Sequence, residues 1–179
     1  LSIRRQRQMC IRDRVSFHHH DVVGAKLTRR RMEALRFSSD EIKAVSELVE
    51  LHLRFHGYGD GAWTDSAVRR YVRDAGDQLE RLHILTRADC TTRNPRKAAR
   101  LAATYEQLEH HIDALAEQEE LESIRPDLDG TQIMELLDIR PGPVVGEAYR
   151  FMMELRMDEG PLGPEVARER LLAWWAARP

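Results

Sequence analysis

With 179 residues, 42% of them hydrophobic and 32% charged, the chain suits one domain or one and a half, and can bury a core without a disulfide or metal staple. Its 28 basic and 30 acidic residues leave a formal net charge of -2, a balance that hides local asymmetry and neither requires nor excludes nucleic acid. No apolar run reaches the roughly 18 residues that a membrane span needs, no secretory signal is evident, and Cys10 and Cys90 form no CxxC pair, which fits a reducing compartment, the cytoplasm.

In chain order, residues 1–14, LSIRRQRQMCIRDR, are an arginine-rich arm without an apolar period. A solvated arm and a phosphate-binding arm both fit that composition. A third reading is preferred. MCIRDR resembles a recurrent translated sequencing adapter, so native sequence is expected to start near Val15, and Cys10 then carries no meaning. The first residue is Leu1 rather than methionine, so the chain is expected to be a fragment or trimmed.

From there the chain reads as all-α, because no stretch alternates apolar and polar residues with β-branched enrichment. A first helix is predicted over 20–36, with Val23, Leu27 and Leu35 as its apolar line. Ser38 and Glu41 fit a capping box for a second, from about Asp40 to His56. HGYGDGAWT at 56–64 is a glycine-rich loop. A short helix over 65–75 follows, ended by Gly76 in a left-handed conformation, then another from about Asp77 to Thr91. Asn94 before Pro95 starts a long helix to about Ser123. Its Leu101, Tyr105, Leu108, Ile112 and Leu115 repeat at spacings of 4, 3, 4 and 3, a coiled-coil-like seam. RPDLDG at 125–130 breaks that helix and marks the domain boundary. In the tail, Met152, Met153 and Met157 read as core filling. One of Trp174 and Trp175 is expected to pack and the other to lie at the rim.

Three polar side chains fall on apolar faces. The stripe Ile42, Val45, Val49 continues to His52 and His56. Bonding to backbone or carboxylate at the core rim is the ordinary explanation for such histidines. Leu79, Leu82 and Thr86 put Asp89 on the inward side of its helix, where a carboxylate needs a cation, a donor or a metal. Within FHHHD at 17–21, adjacent histidines cannot all face one point, and His20, nearest the helix, is the candidate. Asp21 also serves simply as a helix-start carboxylate. The candidate metal ligands are therefore His20, His52 and Asp89, for a divalent ion that nitrogen and oxygen ligands alone leave undefined.

Basic residues cluster three times: Lys26, Arg29, Arg30, Arg31 and Arg36; Arg69, Arg70 and Arg73; Arg93, Arg96, Lys97 and Arg100. Most such runs are solvated faces, yet clusters of this kind can hold RNA phosphates without reading sequence. In RPGPVVG, the backbone N–H groups of Val144, Val145 and Gly146 can cradle a phosphate at a helix start, or the segment simply closes a tight turn.

FHHHDVVGA, TRRRMEALRFS, LVELHLRFHGYG, WTDSAVRRYVRDAG and RADCTTRN, with RPDLDGTQIMELLDIRPGPVVGEAYRFM, together resemble the C-terminal body of bacterial CCA-adding tRNA nucleotidyltransferases of actinobacterial type, over about 15–179. The resemblance implies an HD-like helical segment at 15–94, a connecting helix at 95–125 and an RNA-binding helical tail at 126–179. In that family an N-terminal head carries a glycine-serine turn and paired carboxylates, which bind Mg and align CTP or ATP for in-line transfer. No such pattern occurs here, so the polymerase head, with its Mg, CTP and ATP, is expected to be missing. The likeness matches His20 to the histidine of a GHE-like element, His52 to the following helix histidine and Asp89 to the terminal aspartate of an HD-type metal site. The HDIGKP-like element belongs just before residue 15 and is absent, so the site is expected to be incomplete; His20-Asp21 is not that element. The implied partner is the tRNA acceptor arm, held by shape and phosphates. Two other functions stay open: a metal-dependent HD-type phosphohydrolase, and a non-catalytic helical RNA-binding module.

Overall fold

The computed structural model describes residues 19–55, 63–89, 94–119 and 124–178. The arm at 1–14, His56 and Cys90 lie outside the described residues. Among those described there are eight α-helices and no strand, as the periodicity predicts: α1 (His20–Ala34), α2 (Ser39–Leu51), α3 (Asp65–Ala75), α4 (Leu79–Asp89), α5 (Pro95–Gln118), α6 (Gly130–Leu137), α7 (Pro143–Glu159) and α8 (Pro164–Ala176).

Local chemistry sets most boundaries. Ser38 Oγ accepts from the Glu41 amide and the Glu41 carboxylate accepts from the Ser38 amide at 2.9 Å, so the capping box forms. Asn94 Oδ1 accepts from the amides of Arg96 at 3.0 Å and Lys97 at 3.3 Å. Asp129 and Gln132 form a second box ahead of α6. Gly76 has φ 47, the left-handed stop predicted for it, and a single 3-10 turn, Gly76–Gln78, leads into α4. Two helices end early. Arg36 adopts φ 59, and the Phe37 amide turns back to the Met32 carbonyl at 3.1 Å, which closes α1 at Ala34. α2 closes at Leu51 instead of running to His56.

The chain divides into two compact units, 1–62 with 75–109, and 63–74 with 110–179. α5 contributes its first part to one unit and its last part to the other. The seam of that helix is buried at Tyr105, Leu108, Ile112 and Leu115.

In the first unit, α1 packs along α2, and α2 against α4. The buried side of α1 is not the predicted line. Val23, Leu27 and Leu35 are 53%, 59% and 54% exposed. Asp21, Gly24, Ala25, Thr28 and Met32 turn inward instead. This stripe is mostly small, so the two backbones approach closely; a Cβ on Gly24 would lie 3.2 Å from Val49 Cγ1. Gly24→Leu is therefore expected to destabilise the protein by about 1–3 kcal/mol through overpacking, read from the urea midpoint. Deeper in, the Phe55 and Tyr105 rings stack with centroids 3.8 Å apart, and Tyr105 Oη donates to the Thr86 carbonyl at 2.9 Å.

In the second unit, Leu128, Ile133, Leu137, Ala148, Met152, Ala167 and Leu171 form one core. Met157 is fully buried and Met153 half-buried, in keeping with a filling role. The expected split between the tryptophans does not occur: both Trp174 and Trp175 are half-buried against this core. The reason is Arg178, whose guanidinium lies 4.9 Å and 5.1 Å from the two ring centroids and pairs with Glu147 at 2.6 Å.

Candidate functional site

His20 opens α1, and His52 caps the C-terminus of α2. Their rings meet edge to face, with centroids 5.4 Å apart. His52 Nδ1 contacts the Val49 carbonyl at 2.5 Å, one of the orphan acceptors of a helix end. A carbonyl can only accept, so Nδ1 is the donor in this contact. Two imidazoles bound to one ion at about 2.1 Å would have ring centres roughly 5 Å apart, so the pair's spacing is suitable. One Asp21 carboxylate oxygen is buried with no hydrogen-bond partner among the described residues.

Asp89 departs from expectation. It is the last residue of α4 and is exposed, because the buried face of that helix stops at Thr86. Thr86 Oγ1 donates to the Leu82 carbonyl at 2.7 Å, and the Thr86 carbonyl is taken by Tyr105. Among the described residues no three His, Cys, Asp or Glu side chains gather as a metal site. The set His20, His52 and Asp89 is thus not brought together, and no chemical step is assigned to it.

The cationic clusters fare differently from one another. Arg29, Arg30 and Arg31 on α1, and Arg96, Lys97 and Arg100 in the first turns of α5, are all exposed. Arg69 is not. It is 5% exposed, and its guanidinium forks onto Glu119, with Nη2 to Oε1 at 2.7 Å and Nε to Oε2 at 3.1 Å. Its Nη1 donates to the Met157 carbonyl at 3.1 Å. A phosphate contact at Arg69 gives way to a buried structural role, since the side chain is 7% exposed and held on Glu119 and Met157. Arg156, also buried, donates to the second Glu119 oxygen at 3.1 Å. Sequence reading missed this triad because Glu119 lies in an acidic run, EQEELE, that looks solvated.

Arg70 is half-buried and pairs with both Glu154 and Asp158 at 2.9 Å, while Arg73 pairs with Asp74 at 3.3 Å. The hydrogen bond from Arg70 holds the Asp158 carboxyl below its ordinary value of 3.8. In Arg70→Met, Asp158 is expected to titrate at higher pH, as read by carboxyl NMR. The depressed value means the pair contributes stability above the unfolded pKa and loses it as pH falls through the folded one. With both side chains partly in water that contribution is small.

At α7, Pro143 occupies the first turn and Gly142 offers no side-chain cap. The Val145 amide is already engaged by the Gly142 carbonyl at 3.1 Å. Val144 is half-buried, and Gly146 is exposed with nothing within 4 Å of the place a Cβ would occupy.

The sequence profile of the HD domain matches residues 3–94, more than half of the chain, a span that takes in α1 to α4. The chain belongs to the HD domain family. This HD-domain chain is 33% identical, over 170 residues, to the A-adding tRNA nucleotidyltransferase of Deinococcus radiodurans, covering 90% of this chain and 36% of that protein. It is 32% identical, over 169 residues, to the CC-adding tRNA nucleotidyltransferase of Thermus thermophilus, covering 92% of this chain and 35% of that protein. The HD-domain chain therefore spans about a third of the length of the curated relatives it matches. No solved structure matches it. No helix among the described residues is long and apolar enough to cross a membrane.

Proposed function

We propose that this chain is the helical, tRNA-holding part of a CCA-type tRNA nucleotidyltransferase that works in the cytoplasm. The observation that carries the reading is the alignment of nearly the whole chain, HD domain and tail alike, with two enzymes named for adding A or CC to tRNA. Nucleotide addition from CTP or ATP, with Mg, belongs in this reading to a polymerase head that these residues do not contain. The actinobacterial resemblance of the motifs agrees with it.

Exposed cations on α1 (Arg29, Arg30, Arg31) and at the start of α5 (Arg96, Lys97, Arg100) hold phosphates of the acceptor arm. The amides of Val144 and Gly146, with that of Val145 already held by the Gly142 carbonyl, add an anion-favouring helix start in the tail. Contacts of this kind recognise the shape of a duplex and not its bases. The test is binding of tRNA to the purified chain across a salt series. Affinity is expected to fall with salt at a log–log slope of roughly -0.7 to -0.9 per phosphate contact. Binding that is absent, or indifferent to salt, overturns the reading.

A second reading, an HD-type metal-dependent phosphohydrolase segment, draws on the edge-to-face imidazole pair of His20 and His52 alone, exposed Asp89 having no place in it. Stoichiometric metal in the purified protein, lost in His52→Ala, carries this reading; metal-free protein ends it.

A further inference from the structure

The second unit contains a pocket of about 420 Å³ between the end of α5, the segment ahead of α6 and the segment after α7. Its wall includes Arg156 and Glu119 from the buried triad. Among the described residues one carboxylate there faces two guanidiniums, Arg69 at 2.7 Å and Arg156 at 3.1 Å, with Asp158 acting weakly on Arg69, so the triad itself carries more positive than negative charge. Burial makes that charge costly unless something negative shares it. Arg125, exposed, also lines the pocket and adds a second cation. Asp127 is the opposing group, but its two oxygens accept from the backbone amides of Leu162 at 3.4 Å and Gly163 at 3.3 Å, which draws its charge toward the chain. Pro126 and Pro161 supply rigid apolar wall.

We propose that this pocket binds a phosphate group carried on a ligand of about nucleotide size, with Arg125 and Arg156 as its cationic contacts. A planar guanidinium suits phosphate oxygens geometrically, and Arg156 is held in place beforehand by Glu119. The volume falls within the roughly 300–1,000 Å³ of small-molecule sites. Nothing in this inference depends on tRNA as the partner.

Isothermal titration of the whole chain with inorganic phosphate, at fixed ionic strength against chloride, tests it. Saturable binding is expected. Arg125→Ala, which changes an exposed side chain, is expected to weaken it about tenfold through loss of a charge-assisted bond. Asp127→Asn, which removes the opposing charge yet keeps an acceptor for one amide, is expected to tighten it by about threefold. A nucleoside 5′-monophosphate binding more tightly than phosphate supports a free nucleotide ligand. Equal affinities support recognition of the phosphate alone, as on a polynucleotide backbone. No saturable phosphate binding, or affinity unmoved in both variants, overturns the proposal.

Discussion

Glu119→Ala is expected to lower the stability of the second unit by about 3–5 kcal/mol. The substitution leaves the guanidiniums of Arg69 and Arg156, at 7% and 9% side-chain exposure, without the carboxylate they share. Arg69 cannot turn readily to water: it is tied to the Met157 carbonyl, and Gly160 comes so close that even a Cβ there would lie 2.9 Å from Arg69 Nη2. Trp63, Trp174 and Trp175 all belong to this unit, so the tryptophan fluorescence transition in urea reports on it directly. Replacing all three charges together, with Glu119→Leu, Arg69→Met and Arg156→Met, is expected to cost much less, because no lone charge then stays buried. If Glu119→Ala melts within about 1 kcal/mol of the parent, the triad is a bystander and the pocket proposal loses its anchored Arg156 as well.

Simultaneous replacement of Arg29, Arg30 and Arg31 by glutamate is expected to weaken tRNA binding on the order of 100-fold at moderate salt and to flatten the salt slope by up to about 3. The three side chains are exposed on α1 and the buried contacts of that helix run along Gly24 and Ala25, so the fold should tolerate the change. Far-UV circular dichroism checks that it does. Lys43→Glu, which reverses one exposed cation paired with Glu47 on α2, serves as a charge-reversal control away from the cluster and is expected to shift binding little. A loss per reversed charge as large in the control as in the triple variant would mean that net charge acts and the α1 cluster does not.

Residue by residue, different parts of this protein were open to reading at different levels. The capping box at Ser38, the Asn94–Pro95 start and the Gly76 stop are short-range chemistry, settled within three or four residues, and they form as their residue types require. The α5 seam is equally local, since one helix repeats one period. The apolar line of α1 is not its buried face because the size of the side chains, more than their hydrophobicity, decides which face can approach α2. Gly24, Ala25 and Thr28 permit a close approach to α2 that Val23 and Leu27 would prevent. Asp89 misled because a helical stripe extrapolated past Thr86 reaches a helix end, where side chains escape to water.

Taken alone, the sequence determined that the chain is helical, where most helices start, and which family's motifs it carries, because each of these depends on neighbours along the chain. Only the tertiary structure decided which arginines face solvent and which are consumed. Arg69 and Arg29 are indistinguishable in a string of letters, yet one is locked onto a carboxylate fifty residues away and the other is exposed. The fate of a charge depends on what folding brings beside it, and that partner has no fixed distance in sequence.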